Sequence, residues 1–525
     1  MRRLLRSFSL GLILALAVMV GLAEDLTVDA GDSFRGFETN EIRVTCPADG
    51  TVTVSVTAGE HCYRTMSGLE VKAGENTIAW DGLGPYEEPI PTGTYTMTVT
   101  YRGTQGATST ASVKLKSLTC HQALLYALPS SDTLYLEDED TWLVQLELVK
   151  KGRVQLTVCP EGSDTPVMTR VWTVSKAGPV KLHWQGAFKG EKLTPGRYTF
   201  SWCAVGGESY VRSFPVEVRA GITPSIELRE TGAVMPARGA SDEQIWEVMQ
   251  QPSAVILRGE TYDQPVYSAP DKSSAKLGTF HGTSQCVQIL SLETEGWALV
   301  GGWEHQTGCY IEGWLPTGLL KMVRPNGHYG ILIDKKTQTM RIYEDGRVIG
   351  TMDISTGLAT AKKMIRETPA GSFLTVSRIA SFSSGGYTYE YPIRYDGGDL
   401  LHTVGYKKTR GVRTYSAHIA QLGRKASHGC VRIERFTEDG EIDAWWLYTH
   451  LPWYTRVIVM DDAEERAQQR AALGVTAADM DYTGPAPAEP ASTDSAVIRD
   501  DEEDTVPEVT TEAEDDEEDT GSGMP

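Results

Sequence analysis

The amino-acid sequence predicts an all-β protein of several domains, and three observations carry this prediction. The chain has 525 residues, which is too long for a single hydrophobic core. Stretches such as TVTVSVTA (51–58) and RVQLTV (153–158) alternate polar and apolar residues, which is the period of half-buried strands. Turn-forming residues are abundant, with 52 glycines and 25 prolines. We therefore expect about three or four domains of short strands.

The N-terminus has the layout of a secretory signal peptide. Arg2, Arg3 and Arg6 precede an apolar run over 10–22, and small residues lead up to Ala23. We expect a signal peptide over 1–23 that is cleaved after Ala23, with an uncleaved membrane anchor as the alternative. Either arrangement places the rest of the chain outside the cytoplasm. No later apolar run is long enough to span a bilayer, so no stable membrane span is expected after cleavage.

The net charge of −21 is concentrated in a C-terminal tail. Residues 461–525 carry 21 acidic and three basic side chains, a net charge of −18 that leaves −3 for the rest of the chain. Such a self-repelling segment with few apolar residues is expected to be disordered. It reads as a solvated spacer, with binding of cations or basic wall components as the alternative. No basic patch indicates a nucleic-acid partner.

Two segments, 73–99 and 177–203, resemble each other. Each has a Trp, a Gly two residues later and a Tyr after a Pro/Gly turn: Trp80, Gly82 and Tyr95 in the first, Trp184, Gly186 and Tyr198 in the second. The surrounding strand patterns predict two tandem β-sandwich modules, module 1 (25–117) and module 2 (118–220). They are similar to the Ig-like modules of bacterial surface proteins, which implies a spacing or adhesive role. The repeated aromatic residues are most simply core residues.

A linker with a short helix and a second kind of β domain follow. Residues 221–252 form the predicted linker, in which Ser241 is a candidate N-cap and Pro252 marks the stop. Residues 253–322 contain VYSAPDKSSAKLGTF, GWALV and GWLPTGLL, and they resemble bacterial SH3-type barrels. We refer to 253–322 as the barrel. The resemblance implies docking to cell wall, and a purely structural role is the alternative. Residues 327–460, the C-terminal domain, predict a further compact β-rich unit.

The eight cysteines include one that stands out. Three pairs fall within single predicted domains and are candidate disulfides in an exported chain, although connectivity cannot be read from sequence: Cys46 and Cys62, Cys159 and Cys203, Cys286 and Cys309. Cys120 lies at a domain junction. Cys430 is the only cysteine of the C-terminal domain. A thiol without a bridge partner outside the cytoplasm indicates a functional role.

The neighbours of Cys430 suit a nucleophile. His428 and Gly429 precede it, and the glycine lets backbone N–H groups approach an oxyanion closely. Arg432 lies on the same side of an extended chain and could bind a carboxylate. A Cys nucleophile also needs a base from elsewhere in the fold, for which His402 and His418 are the candidates. The histidines lack a metal-ligand spacing, so neither a metal site nor a cofactor is expected.

The segment Ser427–Arg432 resembles the Ser/Thr-His-Gly-Cys motif of the L,D-transpeptidase (YkuD-type) catalytic domain. STGLATAKKMIRETPAGSFLT (355–375), LLHTVGY (400–406) and QLGRKASHGCVRI (421–433) agree with other parts of that family's pattern. The sequence departs from the family in having Thr403 after the first histidine and in a longer interval between His402 and Ser427.

The resemblance implies specific roles for these residues. Cys430 would be the nucleophile and His402 the proton acceptor and donor, with His418 as a lower-ranked candidate. The backbone of His428, Gly429 and Cys430 would form the oxyanion hole. Arg432 would steady the substrate or the loop, and Ser427 would order the site by hydrogen bonding.

The resemblance also implies a reaction, a partner and a location. The partner would be the peptidoglycan stem peptide, and the reaction would exchange a tetrapeptide's terminal residue for the amine of a neighbouring stem. The protein would act in the cell wall, at the extracellular face of a bacterial envelope. A cell-wall Cys endopeptidase or carboxypeptidase, and a non-enzymatic wall-binding protein with an inactive unit, are the alternatives. The sequence leaves the oligomeric state open.

Overall fold

The predicted all-β character is confirmed. The computed structural model describes residues 25–138, 142–304, 308–358, 367–409, 412–435 and 442–463. Strands dominate this part of the chain, and its three α-helices are short. No helix within the described ranges is long and apolar enough to cross a membrane. The predicted signal peptide and nearly all of the acidic tail lie outside the described residues.

Module 1 consists of two facing sheets. Its eight strands are β1 (Thr27–Asp29), β2 (Ser33–Arg35), β3 (Asn40–Cys46), β4 (Gly50–Ala58), β5 (His61–Val71), β6 (Gly74–Trp80), β7 (Gly93–Gly103) and β8 (Thr108–Leu118). One sheet has the order β2-β8-β7-β4-β5 and the other β1-β3-β6. Alternate residues of both sheets, such as Val44 and Val54, are fully buried in one core. This is the period-two pattern that the sequence displays.

Module 2 repeats this arrangement. Its strands are β9 (Leu124–Pro129), β10 (Thr133–Tyr135), β11 (Trp142–Leu148), β12 (Gly152–Pro160), β13 (Met168–Val174), β14 (Val180–Trp184), β15 (Ala187–Phe188), β16 (Glu191–Lys192), β17 (Gly196–Ala204) and β18 (Gly207–Arg219). The order β10-β18-β17-β12-β13 matches the larger sheet of module 1. The repeated residues make equivalent contacts, because Tyr95 and Tyr198 each donate a hydrogen bond to the carbonyl four residues earlier.

The linker helix and the barrel come next. Helix α1 (Asp242–Gln250) begins at the predicted N-cap Ser241, whose hydroxyl accepts from Gln244 N–H in a capping box. The barrel strands are β19 (Ser253–Ile256), β20 (Asp263–Tyr267), β21 (Lys276–His281), β22 (Gln285–Ser291), β23 (Trp297–Trp303), β24 (Tyr310–Pro316) and β25 (Leu320–Val323). Its resemblance to SH3-type barrels, like that of the modules to Ig-like domains, remains a prediction.

The C-terminal domain carries the remaining elements. Its strands are β26 (Tyr329–Asp334), β27 (Thr339–Glu344), β28 (Arg347–Ser355), β29 (Gly371–Leu374), β30 (Ser377–Arg378), β31 (Phe382–Ser384), β32 (Tyr387–Tyr389), β33 (Ile393–Asp396), β34 (Asp399–Thr403), β35 (Lys407–Thr409), β36 (Val412–Thr414), β37 (Val431–Ile433) and β38 (Arg456–Met460). Helices α2 (Ser416–Ile419) and α3 (Ala444–His450) complete it.

The sheet of the C-terminal domain continues into the barrel. Its strands follow the order β29-β38-β26-β27-β28-β37-β34-β33-β30, and β22 of the barrel pairs with β29 at the open end. This junction is antiparallel, with Gln285 opposite Phe373 and Cys286 opposite Ser372. Two neighbouring pairs, β26 with β38 and β34 with β37, are parallel. Barrel and C-terminal domain therefore share one hydrogen-bonded sheet.

The two modules pack against the C-terminal domain. One buried cluster includes Phe37 and Leu83 of module 1, Leu125 and Tyr126 of module 2, and Trp445 of α3. Polar contacts accompany it, such as the hydrogen bond from the Trp445 indole N–H to the carbonyl of Tyr86 at 2.9 Å. The modules thus contribute to the core that supports the C-terminal domain, an arrangement that a chain of separate spacers would not have.

The three candidate disulfides are absent, and that part of the sequence-based prediction is wrong. All eight cysteines lie in described parts of the chain, and none is bridged. On the paired strands β12 and β17, Cys159 lies opposite Thr199 and Cys203 opposite Gln155. The two sulfurs are therefore separated by four residues along the sheet, about 13 Å, which exceeds the reach of a disulfide. In each of the other two candidate pairs, one cysteine is buried and the other is more exposed: Cys46 and Cys62, and Cys286 and Cys309.

We expect Trp445→Ala to lower the free energy of unfolding by about 3–5 kcal/mol, because it empties the core shared by module 1 and α3. Trp445 is 2% exposed, and its ring lies 4.9 Å from that of Tyr391. Urea unfolding of the chain from residue 24 onward measures the change. Trp446→Ala is the matched control, because Trp446 follows in the same helix and is only half-buried. Equal losses in the two variants would contradict a shared core at Trp445.

Candidate active site

Parallel pairing of two short strands assembles the predicted residues. In β34 and β37, His402 lies opposite Arg432, and Leu401 lies opposite Val431. Residues opposite each other share a face of the sheet, and residues two apart on an extended strand also share it. Cys430 immediately precedes β37, two residues before Arg432.

The imidazole of His402 is held in one orientation. Its Nδ1 lies 2.7 Å from the carbonyl oxygen of Thr403. Since a carbonyl only accepts, Nδ1 carries the proton, and in the neutral ring the lone pair is on Nε2. The edges and faces of Phe382 and Tyr389 pack around the ring, with centroids 5.4 and 4.7 Å away. His402 is 2% exposed, so its position is fixed by packing as well as by hydrogen bonding.

A set of short hydrogen bonds shapes the loop before β37. The Ser427 hydroxyl donates to the carbonyl of Cys430 at 2.5 Å and accepts from Gly429 N–H at 3.3 Å. The Thr368 hydroxyl donates to the carbonyl of Gly429 at 2.5 Å and accepts from Gly357 N–H at 2.7 Å. Two buried hydroxyls therefore fix the backbone on both sides of the thiol. In this arrangement the Gly429 N–H, one of the predicted oxyanion-hole donors, is engaged by Ser427.

Gly429 is the residue type that its position requires. Its φ is +136°, a backbone conformation that residues with a Cβ rarely adopt. A Cβ at this position would also lie within 2.4 Å of the buried Asp399 carboxylate. The close approach of Asp399 to the backbone of residue 429 depends on the missing side chain.

The backbone preceding Ser427 is fixed to the Ser-Thr-Gly segment. The carbonyl of Thr356 accepts from the N–H groups of both Ala426 and Ser427, at 2.9 and 3.0 Å. Leu358 N–H in turn donates to the Ser427 carbonyl at 3.0 Å. The two sequence motifs that surround the site therefore form one hydrogen-bonded layer.

The remaining predicted residues have distinct environments. Cys430 is partly exposed and His428 is exposed. Arg432 is 6% exposed, and it donates to Gln421 Oε1 at 2.6 Å and to the Ala426 carbonyl at 3.3 Å. Of the two roles that the sequence suggested for Arg432, these contacts correspond to steadying the loop.

His418 also lies beside the site, but it is poorly suited to act as a base. Its ring stacks on that of Tyr387 at 4.1 Å, and its Nδ1 accepts from Gly405 N–H at 3.1 Å. Burial, aided by the positive charges of Arg432 and Lys407, lowers the pKa of His418 to about 4. An imidazole with its lone pair occupied and its cationic form disfavoured accepts a proton poorly near neutral pH.

Sequence reasoning did not single out four residues that shape the site. Phe382 and Tyr389 pack on His402, Thr368 holds Gly429, and Asp399 lies against Gly429. Thr368 lies inside the quoted TPAG motif, which was the available signal. The others follow from strand pairing and could not be located by spacing along the chain. Within the described ranges, no cluster of three His, Cys, Asp or Glu side chains is arranged to hold a metal ion.

The C-terminal domain is similar in sequence to known proteins. Residues 328–459 match the family model of the L,D-transpeptidase catalytic domain, YkuD. The putative L,D-transpeptidase YciB of Bacillus subtilis is 35% identical over 137 residues. That alignment covers 25% of this chain and 66% of the relative, so the chain spans just under two thirds of the relative's length. Residues 328–459 therefore match the L,D-transpeptidase catalytic-domain family in sequence.

Several solved structures that match part of the chain are L,D-transpeptidases. The protein from Xylanimonas cellulosilytica is 23% identical, with coverage of 26% of this chain and 63% of that one and a TM-score of 0.18. The protein from Mycobacterium smegmatis is 16% identical, with coverage of 38% and 100% and a TM-score of 0.21. One from Mycobacterium tuberculosis is 15% identical, with coverage of 41% and 92% and a TM-score of 0.22. Likenesses at these values carry no argument about the site.

We expect Gly429→Ala to destabilise the fold by about 2–5 kcal/mol, because it combines backbone strain with a clash against Asp399. Urea unfolding measures the loss. Gly423→Ala is the matched control, since Gly423 also has a positive φ but a Cβ there meets no atom within 4 Å. In the double variant Gly429→Ala/Asp399→Ala, part of the loss should be recovered. Equal losses at 423 and 429 would show that the Asp399 contact is irrelevant.

The lowered pKa of His418 predicts a pH-dependent stability. The unfolded chain binds a proton at this residue near pH 6.5, whereas the folded protein does so only near pH 4. The contribution of neutral His418 is therefore complete above pH 6.5 and is lost as the pH falls towards 4. Urea unfolding of His418→Asn and of the wild type at pH 7 and 5 should show a difference in pH dependence of about 1–2 kcal/mol. Identical pH dependence would contradict a neutral buried His418.

Proposed function

We propose that the protein is an exported peptidoglycan L,D-transpeptidase with Cys430 as nucleophile and His402 as the general base and acid. One observation carries the proposal: in the parallel pairing of β34 and β37, His402 lies opposite Arg432, which is two residues after Cys430. The match of residues 328–459 to the catalytic-domain family supports the reaction class.

The first half-reaction forms a thioester. The Cys430 thiolate attacks the carbonyl carbon of the third residue, a diamino acid, in a donor tetrapeptide stem. The bond from this carbon to the terminal D-Ala nitrogen breaks, and the departing amine takes a proton from His402. The Nε2 of His402 can carry that proton, because Nδ1 is already committed to the Thr403 carbonyl. A thiolate is suited to this step as both a nucleophile and a leaving group.

The second half-reaction consumes the thioester. The side-chain amine of a neighbouring stem attacks the thioester carbon, loses a proton to His402, and expels the Cys430 thiolate. The product is an amide crosslink between two third-position residues. Attack by water on the same thioester would give a trimmed stem, so transfer and hydrolysis share every step up to this point. The backbone N–H groups of His428 and Cys430, which flank the Gly429 N–H that Ser427 engages, are proposed to stabilise the oxyanion in both halves.

The remaining parts of the chain are proposed to bring the site to its polymeric substrate. A cleaved signal segment over 1–23 would export the chain, and the barrel would dock to the cell wall. Modules 1 and 2 pack on the catalytic domain, so they would move with it as one body. No cofactor enters either half-reaction.

We expect Cys430→Ala to abolish the reaction, because it removes the nucleophile. We expect His402→Ala to lower kcat/KM by about 10²–10⁴-fold, because it removes the proton transfer. The chain from residue 24 onward is incubated with a purified tetrapeptide muropeptide, and mass spectrometry follows dimers and trimmed stems. His418→Asn is the matched control, because the Asn amide oxygen can still accept from Gly405 N–H, and its activity should stay within a few-fold.

Two results would contradict the proposal. If Cys430→Ala still forms dimers or trimmed stems, Cys430 is not the nucleophile. If His402→Ala keeps full activity while His418→Asn loses it, His418 is the base and His402 is not. A carbapenem should add once to the wild-type chain, and peptide mapping should locate the adduct at Cys430. Cleavage of existing crosslinks without any new ones would instead favour an endopeptidase.

A further inference from the structure

Four charged side chains are buried together beneath the loop that carries Cys430. Lys335 Nζ lies 2.9 Å from Asp462 Oδ1 and 3.2 Å from Glu367 Oε1. Lys425 Nζ lies 2.5 Å from Asp462 Oδ2 and 2.7 Å from Glu367 Oε1. The side chains of Lys335 and Asp462 are fully buried, that of Glu367 is 3% exposed and that of Lys425 is 12% exposed. We call these four residues the charge cluster.

Strand pairing explains why the ends of the domain meet here. Strands β26 and β38 run parallel, with Asp334 opposite Met460. The chain therefore leaves both strands at the same edge, and Lys335 comes next to Asp462. Asp462 lies beyond the predicted domain end at 460 and beyond the family match at 459. The sequence alone assigned it to the acidic tail.

Two members of the charge cluster are connected to the loop that carries Cys430. Lys425 lies two residues before Ser427, in the loop over 420–430 that ends at Cys430. We call 420–430 the nucleophile loop. Glu367 precedes Thr368, whose hydroxyl donates to the Gly429 carbonyl at 2.5 Å. The Lys335 ammonium also donates to the Thr368 carbonyl at 2.8 Å. Asp462 thus binds one lysine on the nucleophile loop and one that holds the Thr368 backbone.

Hydrogen bonds between uncharged groups also connect the turn at Lys335 to this loop. Gln338 donates to the Lys335 carbonyl and to the Thr356 hydroxyl, each at 2.7 Å, and accepts from Thr356 N–H at 2.9 Å. The Thr356 carbonyl in turn holds Ala426 and Ser427. The turn over 335–338 is therefore connected to the same loop in two ways, by the ion pairs of the charge cluster and by the hydrogen bonds of Gln338.

We infer that Asp462 is a positioning residue for Cys430, acting through Lys425 and Lys335 to hold the nucleophile loop in register with His402. Burying four charges is costly unless each one is paired, so the charge cluster has one arrangement in which all of them are compensated. Burial opposes ionisation of Asp462, but the two ammonium groups outweigh it and hold the pKa of this carboxyl below its usual range. Asp462 therefore remains charged at any pH at which the enzyme would work.

Removing the Asp462 charge should affect turnover more than substrate binding. Displacement of a nucleophile by about 1 Å can lower a rate about 10²-fold. We expect Asp462→Asn to lower kcat by at least about tenfold with KM nearly unchanged, in the muropeptide assay on the full chain from residue 24. Asp461→Asn is the matched control, as it removes the same charge from the adjacent residue, and it should leave kcat unchanged.

A double variant separates positioning from folding. Lys425→Met/Asp462→Asn removes one charge of each sign and leaves Lys335 paired with Glu367. Its melting temperature should return towards the wild-type value, while kcat should stay low because the loop has lost its tether. Wild-type kcat in this double variant would overturn the inference. A double variant unfolded at 25 °C would also overturn it, since the charge cluster would then be a determinant of folding and not a local tether.

The kinetic readout rests on the proposed function, so a second readout is independent of it. Alkylation of Cys430 by iodoacetamide, followed by peptide mapping from pH 5 to 9, reports the environment of the thiol without any stem peptide. The pH profile of alkylation should shift in Asp462→Asn and in the double variant but not in Asp461→Asn. Failure of the wild type to process muropeptides would refute the proposed function alone, whereas unshifted alkylation profiles would refute the role of Asp462.

Discussion

The parallel pairing of β34 with β37 is the constraint on which the site depends. Each strand is short, five and three residues, and their register puts His402 opposite Arg432 and Leu401 opposite Val431, the residue after Cys430. Parallel neighbours cannot be joined by a tight turn, so the chain must leave the sheet and return between them. The intervening residues 404–430 accordingly contain the hairpin β35–β36, helix α2 and the nucleophile loop.

This excursion brings module 1 close to the site. The Arg413 guanidinium at the hairpin binds Glu390 Oε1 at 2.5 Å, and the Tyr415 hydroxyl donates to Glu390 Oε2 at 3.1 Å. The Tyr415 ring meets that of His61, at the start of β5, edge to face at 5.2 Å. Glu390 N–H also donates to the hydroxyl of Thr403, the residue after His402. A module that the sequence suggests to be a spacer thus contacts one wall of the candidate site.

Sequence alone was informative where a local pattern determines the structure. Period-two alternation located the strands of the modules, and the N-cap Ser241 together with the stop at Pro252 located α1. The repeated Trp and Tyr lie in two parts of the chain whose larger sheets have equivalent strand orders. The cysteine motif selected Cys430 and ranked His402 above His418, and both of these choices remain predictions. Long-range pairing was not accessible, because neither the β22–β29 junction nor the packing of the modules on α3 leaves a signal in sequence spacing. The disulfide predictions failed for the same reason, since bridging depends on register across strands.

Buried charges lie on both sides of β37, the strand that follows Cys430, and this placement has a physical consequence. The charge cluster holds Lys425 before Cys430, and Arg435, two residues after β37, contacts Asp443 at 3.1 Å and Glu88 of module 1 at 3.8 Å. Burial raises the pKa of Glu88 to about 7 despite the attraction of Arg435. Buried ion pairs add little stability over apolar packing, but each allows only one geometry in which its charges are compensated. A three-residue strand has too few hydrogen bonds to fix its own register, so charges at its two ends can supply the precision that the strand itself lacks.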